Sequence, residues 1–136
     1  MRIFTGRRIA AGLLIGGLLS GCSSLSPDAD SAGAAAVAFS DAVQSGDGSG
    51  ACDLLAPETA RQVAETGGDS CEASILTEDL PALQSVVEAD AVGSAAEVKF
   101  DDDVVFLALF GGTWKVTAAG CTARADQPYD CTVSGG

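Results

Sequence analysis

The pattern of apolar and polar positions divides the chain into three regimes. Residues 9–19 come first, an unbroken run of aliphatic residues, alanine and glycine. Polar and small residues follow to residue 33, with Leu25 the one large apolar side chain among them. From residue 34 the apolar positions recur at helical spacing. Ala35, Phe39 and Val43 fall at i, i+4 and i+8, with Ala36 and Ala42 beside them, which predicts a helix over residues 34–44. Gly46-Asp47-Gly48-Ser49-Gly50 ends it. A short helical turn is expected around residues 52–55. Pro57 then suits the first turn of another helix running to about residue 66, stopped by Gly67-Gly68 with Cys71 just beyond.

After Leu80-Pro81 the period changes to two. Residues 83–92 read as a strand with uneven alternation. Ala96, Val98 and Phe100 alternate with Glu97 and Lys99, as on a half-buried strand. Asp101-Asp102-Asp103 forms a polar turn. Residues 104–110 are apolar at every position, as expected of a central strand covered on both faces. Gly111-Gly112 accepts the positive φ of a two-residue hairpin turn. Residues 113–119 return with Trp114, Val116 and Ala118 on one face, and the chain is expected to finish in a loop around Pro128-Tyr129-Asp130. Helices followed by strands predict a single small α+β domain over residues 34–136, with helices packed on one face of an antiparallel sheet of about four strands.

The first apolar run is too short for a spanning helix, which needs about 20 residues. With Arg2, Arg7 and Arg8 before it as a positive n-region, and no acidic residue before Asp28, it reads as an export signal. Leu19-Ser20-Gly21-Cys22 resembles the bacterial lipobox. That resemblance implies removal of residues 1–21 and diacylglyceryl on the Cys22 sulfur, hence a lipid anchor on the extracytoplasmic face of the cell membrane. Two acyl chains suffice for stable attachment, at about 0.8 kcal/mol per buried CH₂. Arg7-Arg8 raises the twin-arginine route, although the residues that usually follow such a pair are missing. Residues 22–33 read as a flexible tether with an r.m.s. reach of roughly 18 Å.

Loss of residues 1–21 leaves Arg61, Lys99, Lys115 and Arg124 against all 19 acidic residues, a net charge of −15. Such a balance argues against nucleic acid, whose binding rests on cations that neutralise phosphates. Solubility and stand-off from an anionic bilayer explain it simply. The core is lean, because Leu, Ile, Val and Phe make up only 24 of these 115 residues. A domain of that composition has little stability to spare, which gives the cysteines a role. With Cys22 lipidated, Cys52, Cys71, Cys121 and Cys131 remain, and an even number in an exported chain reads as disulfides. Of three pairings, Cys52–Cys71 with Cys121–Cys131 is favoured, since each bridge closes a short segment in one half of the chain. Thiolate zinc sites prefer pairs two to four residues apart, and the closest pair here is ten apart in a chain with no histidine.

The absence of histidine removes the commonest general base and metal ligand. No two carboxylates are marked as a catalytic pair by spacing. Asp101-Asp102-Asp103 lacks the alternating acids, glycine and later glutamate of a calcium loop. No catalytic residue, metal or cofactor is therefore expected. Phe39, Phe100, Phe106, Phe110, Trp114 and Tyr129 are the aromatic candidates to line a cavity. Trp114 and Tyr129 are the favoured ligand or partner contacts, because each carries a polar handle.

Several segments together resemble small actinobacterial secreted lipoproteins: the lipobox, Gly46-Asp47, Ala51-Cys52-Asp53-Leu54-Leu55, and the ending Phe110-Gly111-Gly112-Thr113-Trp114-Lys115-Val116, Ala119-Gly120-Cys121 and Pro128-Tyr129-Asp130-Cys131. Such proteins are similar to the nuclear transport factor 2-like (cystatin-like) class. Thr113, between the glycines and Trp114, departs from the class pattern by one residue. The resemblance implies helices closing the concave side of a curved sheet, and a cavity. It implies no activity, since one fold hosts many functions. Two expectations follow. The first is a non-catalytic protein-interaction module bound to an envelope protein; the alternative is a solute-binding or sensing lipoprotein using the helix–sheet cavity.

Overall fold

A computed structural model describes residues 28–136. Helices come first, and α1 (Ala29–Gln44) starts five residues earlier than the apolar spacing predicts. Residues 29–33, expected to belong to a tether, are therefore helical. The reason is local: the Asp28 carboxylate caps the helix, accepting from the Asp30 amide and the Ser31 hydroxyl, both at 3.0 Å. Ala32, Gly33 and Ala36 are then buried, so small residues that resemble a linker in composition serve as a close-packing face. A Cβ on Gly33 would lie 3.4 Å from Val86.

Helix α2 (Gly48–Leu54) is capped by Asp47, which accepts from the Gly50 amide. In α3 (Pro57–Gly67) proline stands in the first turn and Gly68 closes the helix at φ 68°, as predicted. Cys71 opens a further short helix, α4 (Cys71–Ile75), capped by Ser70. The two small helices meet closely, since a Cβ on Gly48 would fall 2.1 Å from the Glu72 carbonyl oxygen.

The rest is one antiparallel meander, β1 (Glu88–Val92), β2 (Ala95–Lys99), β3 (Val104–Phe110), β4 (Thr113–Arg124) and β5 (Gln127–Ser134), in sequence order across the sheet. The α+β class is as expected, but the sheet has five strands, not four, and is not strongly curled. The added strand comes from the supposed C-terminal loop. Asp126 turns at φ 57°, and β5 pairs back along β4 with Cys121 opposite Cys131. Pro128, which argued for a loop, is tolerated because β5 is an edge strand. The strand expected from residue 83 begins only at Glu88. Before it, backbone groups are taken by α1 side chains: Ser40 Oγ accepts from the Leu83 amide at 2.9 Å, and Gln44 donates to the Leu80 carbonyl.

Register fixes the two faces. Ala89, Val98 and Val105 form one row across the sheet, and Ala91, Ala96, Leu107 and Val116 the next, all on the helix side. Phe39, Ile75, Val98, Val105, Leu107 and Val116 are fully buried there. Full burial of such a side chain contributes about 1.5–3 kcal/mol. Residues 104–110 are not covered on both faces as their composition suggests. Val105 and Leu107 face the core, whereas Val104, Phe106 and Ala108 are half-buried and Phe110 is exposed on the helix-free side. Among the described residues no helix is long and apolar enough to cross a membrane.

Candidate functional site

The lipidation candidate Cys22 lies outside the described residues. The other four cysteines form the two favoured bridges. Cys52–Cys71 joins α2 to the start of α4 with Cα atoms 6.2 Å apart, and Cys121–Cys131 joins facing residues of β4 and β5 at 4.0 Å. The first braces the small helices and the second staples the terminal hairpin, so both act as structure.

The two favoured contact aromatics do not meet. Trp114, opposite Leu109 in the β3–β4 ladder, is only 7 % exposed and belongs to the core. Tyr129 is 36 % exposed and sets its ring edge-on to Phe106, with centroids 5.0 Å apart. Because Val105 and Leu107 face the helices, Phe106 points to the opposite side, and Tyr129 joins it there. The space between helices and sheet near Phe39, Ser40, Leu83, Asp103 and Ala119 is about 10 Å³. That is the room for about one water molecule. A larger hollow, of about 350 Å³, lies at the other end of the helix layer, between Gln62, Val63 and Thr66 of α3 and Thr132 and Val133 of β5.

The aspartate turn is more structured than its charge suggests. Asp101 and Asp102 are exposed, but Asp103 is folded in, 5 % exposed, and accepts from its neighbour, the Val104 amide, at 2.8 Å. Burial pushes its carboxyl above the usual aspartate range, and the amides of Val104, Cys121 and Gly120 partly oppose that shift. A surface cleft of about 290 Å³ runs between this turn and residues 81–85, with Pro81, Leu83, Gln84 and Phe100 among its walls. Among the described residues no three His, Cys, Asp or Glu side chains gather as a metal-holding group.

A different region carries the exposed apolar surface. Strand β1 is paired on one side only, and around it Val87 is 63 % and Val92 81 % exposed. On its helix side lies a groove of about 420 Å³, floored by Ala34, Val37, Ala38, Val86 and Ala89 and bordered by Asp30 and Asp41. On its other side a hollow of about 340 Å³ is walled by Asp90, Val92, Glu97 and Phe106. Lys99 is held firmly protonated by its hydrogen bond to Glu88 at 3.0 Å and then by Glu97 at 3.3 Å. No comparable partner stands by Asp90, Asp30 or Asp41 among the described residues. The sequence signal for this edge was Val86-Val87 followed by Glu-Ala-Asp-Ala-Val, an alternation whose polar positions are all acidic.

Comparison with protein families, with curated proteins and with solved structures finds no match for this chain.

Proposed function

We propose that the chain is an extracytoplasmic lipoprotein of the cell membrane, anchored by lipid on Cys22, whose domain is a non-catalytic interaction module for another envelope protein. The observation that carries this reading is the distribution of apolar surface. Beside Phe39 and Leu83 the space between α1 and the sheet is only about 10 Å³, while exposed valines and two hollows line one free sheet edge. Contiguous apolar surface on a small soluble domain marks interaction sites. The solute-binding alternative needs room between helices and sheet; the space beside Phe39 is water-sized, and the hollow of about 350 Å³ beside Gln62, Val63 and Thr132 is the place left for it. Non-catalytic action is the reading favoured by the lack of histidine, the commonest base that activates a nucleophile. On this reading the domain is also a variant of the nuclear transport factor 2-like class. The order of helices before a one-side-covered antiparallel sheet supports that kinship.

The test is photocrosslinking in the producing cell, with the photoreactive residue placed at Val87, Phe110, Leu76 or Tyr129 in turn. A defined crosslinked envelope protein from one of these positions is expected. Silence from all four, with the protein present and folded, removes the interaction reading. Mass spectrometry of the membrane-extracted protein tests the anchor, the expected species starting at Cys22 and carrying diacylglyceryl.

A further inference from the structure

The β1 edge has a chemistry of its own that specifies what can join it. Its side chains alternate by face. Ala89 and Ala91 share the helix-side rows with Val98 and Ala96, next to the apolar groove. Glu88, Asp90 and Val92 lie on the helix-free face, in rows with Lys99, Glu97 and Ala95. A strand added beyond β1 would sit about 4.8 Å away and alternate in the same way. Every second residue would then fall over Val37, Val86 and Ala89, and the residues between would lie beside Glu88 and Asp90. Five carboxylates surround the position, those of Asp30, Asp41, Glu88, Asp90 and Glu97, against the single ammonium of Lys99 among the described residues.

From this geometry we infer that β1 is a docking edge for an extended segment of a partner protein in which apolar and basic residues alternate. The segment pairs with β1 as a sixth strand, with its apolar side chains in the groove beside α1 and its Lys or Arg side chains against Glu88 and Asp90. This inference rests on the interaction-module reading and names the partner's chemistry. Backbone pairing supplies the affinity in such strand addition, and the alternate side chains supply the choice of partner.

A second copy of the chain is the obvious rival occupant, and the charges oppose it. Antiparallel pairing of β1 with β1 centred on Asp90 sets that carboxylate against its own counterpart, and centring on Ala89 sets Glu88 against Asp90. Centring on Ala91 sets Asp90 against Val92, with the two Asp90 carboxylates on the adjoining diagonal. Like charges directly opposite destabilise a ladder, whereas opposite charges stabilise it. The same acids that guard a free edge against self-association therefore select a cationic strand. Pro128 makes the other edge, β5, poorer in backbone donors.

The probe is a blocked peptide of alternating lysine and valine, about nine residues long, titrated against the full chain in nonionic detergent. Its controls are a block peptide of the same composition, a glutamate–valine version, and versions N-methylated at one or the other set of alternate residues. The alternating lysine peptide is expected to bind and to slow hydrogen exchange of the Ala89 and Ala91 amides. N-methylation of one set only should abolish binding. Asp90→Lys should weaken it by about fivefold, and Ala34→Arg, at an exposed position on the groove wall, should weaken it through the other face. Equal binding of the block peptide, binding without protection in β1, or no binding overturns the inference. Failure of the two readings is separable in the cell. A crosslink from Phe110 with none from Val87 overturns strand addition and leaves the interaction module standing, while silence from every position removes both.

Discussion

At the scale of single residues, two buried polar groups are out of keeping with their surroundings. Asp103 has a carboxyl raised by burial above the value of about 3.8 that it has in the unfolded chain. Between that value and its higher folded one, the native state binds more protons than the unfolded state. Stability from this group is therefore full at low pH and is lost as pH rises through the folded pKa. Asp103→Asn keeps an oxygen for the Val104 amide and cannot ionise. Chemical denaturation of the variant and the parent at a series of pH values is expected to show the gap in the variant's favour opening as pH rises from about 4 to neutrality. A gap that closes over the same range overturns the assignment. Ser74 is the second case, for its hydroxyl is buried without a hydrogen-bond partner and lies against Gly67. Ser74→Ala removes an unsatisfied group and should stabilise the fold by about 1 kcal/mol, read as a rise in thermal midpoint. Neither group was legible in the sequence. Asp103 stands in a run of three aspartates that composition reads as uniformly solvated, and only the turn geometry, with the Phe100 amide donating to the Asp103 carbonyl, separates it from its neighbours.

Elements were legible where a local rule acts alone. Pro57 and Gly68 bound α3, and Gly111-Gly112, at φ 57° and 80°, makes the hairpin between β3 and β4. They were less legible where a partner decides. Residues 29–33 are helical because Asp28 caps them and small side chains dock closely, and 127–134 form a strand because β4 offers a ladder. The continuous apolarity of β3 suggested two covered faces, yet one of them is part of the exposed surface on which the functional reading depends. The favoured cysteine pairs came from loop length, and the elements supply the geometry: α2 and α4 bury little beyond Ala51, Ser74 and Ile75. Those helices should depend on their bridge. Replacing Cys52 and Cys71 together by alanine is expected to cost roughly 3 kcal/mol in global stability and to raise hydrogen exchange in α2 and α4 before the sheet. Replacing Cys121 and Cys131 should cost a similar amount but loosen only the far end of the β4–β5 hairpin. Uniform loosening in both variants would mean that the helices and hairpin do not open as separate units.

For the whole molecule, the early start of α1 bears on the proposed membrane anchor. With Cys22 lipidated as proposed, only residues 22–27 separate the lipid from the helix cap at Asp28. Fully extended, they span at most about 20 Å, and as a random coil roughly 13 Å. A body of net charge −15 would thus be held about two Debye lengths, each about 8 Å at physiological salt, from an anionic surface that repels it. The groove beside β1 includes Ala29, Asp30 and Gly33 at the start of α1, so with the proposed anchor the docking edge would lie on the membrane-proximal part of the domain. A partner strand must then come from a protein that presents its cationic segment close to the bilayer. Neutron reflectometry of the lipidated protein on a supported bilayer should find the domain's near side within about 20 Å of the headgroups, with exchange protection beginning at Ala32, whose amide donates to Asp28. Insertion of a glycine–serine segment after Ser26 should move the protein layer outward, leave its stability unchanged and reduce the Val87 crosslink. A layer already further out, with residues 29–33 exchanging freely, would restore the longer tether that composition alone implies and detach the docking edge from the membrane.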